Sequence, residues 1–223
     1  MTNEQLEVLK KYGIDKEYIY EDESKIINKY MYISGFIFIE LFDISEEFFE
    51  FMQINKMIAE RKKYIERMFK ERNFGGILAM IPKPYRMDYY ELLYKFMDNK
   101  ERYELFIDVY SSMEYGFNQI DKDFLKEVLS LNPNKSYDYP NEVTIYRGEG
   151  DKSTPIEDAF SWTLSIDTAK WFAKRFGSEG KLYKAKVKKE NILCYMEDRG
   201  EHEIIVDYDD LYGIEQLKKE DIF

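Results

Sequence analysis

The spacing of apolar residues changes once along this chain, and that change limits the fold more than any single residue does. Over residues 3–131 apolar side chains return at three- and four-residue spacings, as on helices with one buried face. The run Asn132-Pro133-Asn134-Lys135-Ser136 is rich in turn formers and marks a boundary. Beyond it the period is two, as in half-buried strands. The expected class is α+β: a helical N-terminal region over residues 1–136 and a small, mostly antiparallel sheet core over residues 137–223, which can pack as one domain.

Within the first region, Ser45 is placed to cap one long helix whose buried stripe is Phe48, Phe49, Met52, Ile58, Ile65, Met68 and Phe69. Asn73-Phe74-Gly75-Gly76 is expected to end it. Residues 30–42 read as a buried helix, too short and too interrupted by Ser34, Gly35 and Glu40 to span a bilayer. Asp88 is placed to cap a further helix through Met97 with Leu92, Leu93 and Phe96 inward, and two more helices follow near residues 100–111 and 121–131. In the second region, residues 142–147, 181–188, 192–195 and 203–206 read as strands. One amphipathic helix starts near Ser165 or Asp167, buries Ala169, Phe172, Ala173 and Phe176, and stops at Gly177.

Composition narrows the function classes. The 223 residues carry a net charge of -11, so non-specific binding to nucleic acid is not the default behaviour. Lys56, Arg61, Lys62, Lys63, Arg67, Lys70 and Arg72 run against that balance; they read as a solvated helix face with Glu60, Glu66 and Glu71, or as a docking surface for an acidic partner or RNA. With one Cys there is no internal disulfide, and Cys194 between Leu193 and Tyr195 reads as a core filler. A single His excludes a His-rich metal site, and no metal is expected. Met1 to Tyr12 is polar and charged, unlike a secretory signal, which predicts a cytoplasmic location without membrane association.

Three groups in the second region carry chemistry. Tyr146-Arg147-Gly148 ends a strand, where a guanidinium offers a planar fork to phosphate or carboxylate and a glycine permits close approach of a ligand. Ser161-Trp162-Thr163 supplies a hydroxyl able to orient a carboxylate or a sugar. Glu201-His202-Glu203 leads into Ile204-Ile205-Val206; on a strand its two acids would share one face, where mutual repulsion separates their titration. Singly, each has a commonplace reading: a surface ion pair, a turn, the solvated face of a sheet. Their order and spacing are more specific.

Together these residues resemble the Arg, Ser-Thr-Ser and Glu-x-Glu motifs of the mono-ADP-ribosyltransferases, and in particular the Arg–Ser–Glu class that includes cholera-like and clostridial toxins. The resemblance covers residues 143–206 and departs from the usual pattern at Trp162 and Thr163. It implies an ADP-ribosyltransferase-like core that takes NAD as substrate, with no metal. Arg147, Gly148, Ser161, Trp162, Thr163 and Glu203 would contact the cofactor, and Arg147, Ser161, Glu201 and Glu203 would form the catalytic set. By the same resemblance Glu203 stabilises the developing ribosyl cation, Glu201 serves an arginine-type acceptor, and Tyr195 and Arg199 lie in the acceptor-recognition turn. The implied partners are a macromolecular acceptor, protein rather than nucleic acid, and an antitoxin or inhibitor. The implied setting is a toxin or effector in phage–bacterium or host conflict, cytoplasmic in the producing or infected cell. Two alternatives stay open: an NAD glycohydrolase with water as acceptor, and a non-enzymatic helical interaction protein with a degenerate core.

Overall fold

The computed structural model describes residues 1–23, 29–113, 117–133, 139–177, 180–197 and 200–218, without the side chains of Asn118 and Phe176. The fold is α+β, and all strand pairs in it are antiparallel. The chain forms two compact units, Met1–Phe96 and Met97–Phe223. This division falls well before the boundary expected near residue 136, because two helices that follow Met97 belong to the unit that carries the larger sheet.

In the first unit, α1 (Asn3–Lys11) is closed by a capping box between Thr2 and Gln5. It is followed by a three-stranded sheet, β1 (Ile19–Glu21), β2 (Tyr30–Ser34) and β3 (Ile37–Leu41), in that order. Residues 30–42, expected as a buried helix, are therefore mostly a hairpin that turns at Gly35 (φ 55) and Phe36. Tyr30, Met31 and Tyr32 are buried in succession, as are Ile37, Phe38 and Ile39. A strand covered on both faces shows no alternation, and a short apolar run then fits either element. Gly35 and the surplus of aromatic and β-branched residues are the signals for the hairpin.

The single long helix expected from Ser45 is two: α2 (Glu46–Met52), capped by the Ser45 side chain, and α3 (Ile54–Lys70). Gln53 between them is left-handed at φ 49. Gly75 and Gly76 do not stop a helix; Asn73 caps α4 (Phe74–Ala79), accepting from the Gly76 amide at 2.9 Å. Asp88 lies inside α5 (Arg86–Tyr94) rather than capping it, and only Leu93 of the expected inward set is buried; Leu92 and Phe96 are exposed.

In the second unit, α6 (Asn99–Ser112) and α7 (Lys122–Ser130) start at Asp98 and Asp121, whose carboxylates accept from backbone amides in the first turn. Then come β4 (Glu142–Glu149), β5 (Ser161–Thr163), α8 (Ile166–Lys174), β6 (Lys181–Lys188), β7 (Cys194–Met196), β8 (Glu203–Ile205) and β9 (Leu211–Gln216). The sheet order is β7-β8-β5-β4-β6-β9. One face of β4 and β6 buries Val143, Ile145, Tyr183, Ala185 and Val187 with Trp162 and Ile204. The helix α8 packs across β4 through Ala169 and Ala173. It starts at the Ser165 cap, and Gly177 (φ 74) lies just beyond it. Among the described residues no helix is long and apolar enough to cross a membrane.

Candidate functional site

The three motifs of the second half are brought together by neighbouring strands. Thr163 pairs with Tyr146 of β4 on one side and with Glu203 of β8 on the other, so β5 lies between the strands that carry the arginine and the acid. Side chains that alternate with period two place Ser161 and Thr163 on one face, and the cross-strand partner Glu203 shares it. Accordingly the Ser161 hydroxyl donates a short hydrogen bond to Glu203 Oε1.

Arg147 reaches this cluster through the backbone. The two strands β4 and β5 share one residue pair, Tyr146 with Thr163, while β4 pairs with β6 along all of Glu142–Glu149. Where β5 is no longer laddered to β4, Arg147 Nη1 donates to the Ser161 carbonyl at 2.6 Å and Nη2 to the Thr154 carbonyl at 2.9 Å. Ser161 thus joins the arginine, at its carbonyl, to the acid, at its hydroxyl. The three residues form a chain of contacts. Arg147 Nε is buried and has no hydrogen-bond partner, as is the Trp162 indole nitrogen. Burial lowers the Arg147 pKa, and the nearby Tyr110, Glu149 and Glu203 oppose that shift.

Two groups at the site lie outside the three sequence motifs. Tyr110 on α6 is 3% exposed; burial, and after it the negative charge of Glu203, hold its phenol well above the usual tyrosine range, so it stays neutral beside the acid. Glu149, at the end of β4, accepts from the Ile156 amide at 3.0 Å and from Lys181 Nζ at 3.1 Å. Tyr110 could not be found from motifs, because it sits on a helix that reads as ordinary core. Glu149 was findable only as the alternation partner of Arg147.

Several expected roles change in the structure. Gly148 is required by α8: a Cβ there would stand 1.9 Å from the Ala169 carbonyl oxygen and 2.5 Å from the Ala173 nitrogen. The glycine admits a helix backbone, and the expected ligand approach to its Cα is closed by α8. Trp162 is 2% exposed and fills the core, with its indole N–H buried and unpartnered, so the cofactor contact expected of it is not available. Thr163 is also buried; its hydroxyl donates to the Glu201 carbonyl at 2.6 Å and accepts from the Ser165 amide at 3.1 Å, which makes it a brace for the start of β8.

The expected pairing of Glu201 with Glu203 on one strand face does not form. The strand begins at Glu203, and His202 before it is left-handed at φ 47. A left-handed residue turns the backbone, so period two cannot be carried back to Glu201. The turn is pinned by the Leu164 amide on the His202 carbonyl at 3.1 Å, by Tyr195 Oη and His202 Nδ1 at 3.1 Å, and by Glu197 at 3.5 Å from that nitrogen. Tyr195, expected at the acceptor, is bonded to His202 in this turn, its ring set edge-on to Tyr139 at 5.7 Å. Arg199 lies outside the described residues.

Among the described residues no group of His, Cys, Asp and Glu is arranged to hold a metal ion. The arrangement offers an oriented carboxylate, a hydroxyl donor bound to it, a buried guanidinium and a neutral phenol. Of these groups, the carboxylate suits stabilisation of a developing positive charge on a sugar. No family model, curated protein or solved structure matches the chain.

Proposed function

We propose that the chain is an NAD-dependent mono-ADP-ribosyltransferase with an ADP-ribosyltransferase-like core, acting on a macromolecular acceptor with a guanidinium group. One observation carries the reading: Arg147, Ser161 and Glu203, far apart in sequence, meet through adjacent strands, with the Ser161 hydroxyl on the Glu203 carboxylate. NAD would supply a glycosidic bond to a cationic leaving group, whose cleavage builds positive charge on the ribose. The Ser161 bond fixes one oxygen of Glu203, so the carboxylate is held in place before charge develops, as electrostatic preorganisation requires. The positive charge of Arg147, which is bonded to the Ser161 carbonyl, would attract the phosphates of NAD.

Labelled NAD incubated with the protein and a cell lysate tests the reading. Label is expected on a macromolecule with the wild type and none with Glu203→Gln; equal transfer by the variant would sink the assignment. The position of Glu201 outside β8 favours a second reading, an NAD glycohydrolase, since the acid expected to serve the acceptor is not aligned with Glu203. Release of free ADP-ribose without labelled macromolecule would select it.

A further inference from the structure

Phe51 and Phe42 are 82% and 61% exposed, the highest values among the large apolar side chains of the described residues. They belong to one patch of the first unit. Phe42 follows β3 and meets Phe48 of α2 edge-on, with ring centroids 6.1 Å apart. Phe51 lies three residues beyond Phe48, beside it on the helix surface. Helix α2 already buries another side through Phe49, which is 0% exposed and set edge-on to Tyr12 at 5.2 Å. Its apolar residues therefore cover more of its circumference than one buried face requires. The left-handed Gln53 ends the helix two residues after Phe51 and fixes where that ring is presented.

Acids flank the rings on one side. Asp43, Glu47 and Glu50 are exposed; among the described residues Asp43 and Glu47 have no ion pair, while Lys11, paired with Glu46, also attracts Glu50. We propose that this patch docks a basic amphipathic segment of a protein partner. Its apolar side chains would lie against Phe42, Phe48 and Phe51, and its Lys and Arg against Asp43, Glu47 and Glu50. A contiguous exposed apolar patch marks an interaction surface, and an apolar helix face bounded by charge of one sign selects a helix of the opposite sign. The same acids repel nucleic acid and anionic lipid surfaces. A second copy joined through this face would set each acid close to like charge. The proposal does not depend on the proposed enzymatic function.

The test titrates the full chain against a fluorescein-labelled peptide of Leu and Lys at helical spacing, followed by anisotropy. A peptide with the same Leu positions and Glu in place of Lys is the charge control. Wild type should bind the Lys peptide and not the Glu peptide. Phe51→Ser should weaken binding about tenfold, and Glu47→Lys with Glu50→Lys should weaken it by a similar factor and flatten its salt dependence. The substituted positions are exposed, so circular dichroism should be unchanged. Binding unaffected by Phe51→Ser, binding of both peptides, or no binding of the Lys peptide overturns the proposal. So does a concentration-dependent dimer in sedimentation that Phe51→Ser abolishes, which would give the patch to a second copy.

Discussion

On one side of β4 the large sheet holds few polar groups and covers them; on the other it holds many and leaves them in water. Toward β5 and β8 stand Arg147, Ser161, Thr163 and Glu203, each at least half-buried and each bonded to a neighbour. Toward β6 and β9 stand Lys186 on Glu142 at 2.6 Å, Tyr212 on the same carboxylate at 2.7 Å, and Lys184 opposite Glu215. Exposed pairs of that kind are screened and give little, whereas a buried group feels its neighbours through a lower dielectric. Charge density is thus a poor marker of a working site in this sheet. Charge removed from water is the better one.

The difference can be broken by experiment, most severely at Gly148. An alanine there would drive Cβ into backbone atoms of α8 that cannot rotate away, so Gly148→Ala should cost about 3 kcal/mol by urea denaturation. A near-neutral result would mean that α8 does not sit on β4 as described. Arg147→Lys comes next, at about 2 kcal/mol, because an ammonium cannot bridge the Ser161 and Thr154 carbonyls together. The solvated side has no equivalent, and Lys186→Arg should leave the urea midpoint almost unmoved.

Tyr110 sharpens the contrast through pH. Its folded-state pKa lies above the unfolded value, so the folded state binds more protons once the unfolded phenol ionises. Its contribution is complete below about pH 10 and declines as pH rises further. Wild type should therefore lose stability between neutral and strongly alkaline pH more steeply than Tyr110→Phe, measured as the difference between their melting temperatures. Parallel curves would place Tyr110 in contact with solvent. The smallest effect is expected at Glu142, whose pKa is lowered chiefly by Lys186 and then by Tyr212. That contribution is present above the usual glutamate pKa and lost as pH falls through the folded value, so Glu142→Gln should alter thermal stability only slightly, and only above that range.

What the residues disclosed in advance depended on how each element meets water. Residues 183–188 alternate because one face of β6 is covered and the other is wetter there, while Leu182, on that second face, is buried with Ala169 and Ala173 of α8; the strand is legible in the sequence to its ends. The hairpin of β2 and β3 was not, since cover on both sides erases the period. The β9 strand was missed for the opposite reason: Tyr212 through Gln216 are all exposed, so no apolar rhythm announces it. At the site, Arg147, Ser161 and Glu203 could be picked out by order and spacing. The place of Glu201 is hidden because a left-handed histidine leaves no trace in a two-residue period, and Gly148 suggests a ligand only because its neighbour in space, α8, is some twenty residues further along the chain.

One further consequence follows from the lone rung between Tyr146 and Thr163. It divides the sheet into two plates along a seam: β4 with β6, β9 and α8 on one, β5 with β8 and β7 on the other. Arg147 is the rivet across that seam, anchored in one plate and bonded to the other. Hydrogen bonds do little to close that seam, so apolar packing closes it: Trp162 and Ile204 from one plate share a buried core with Ile145 and Ala185 from the other.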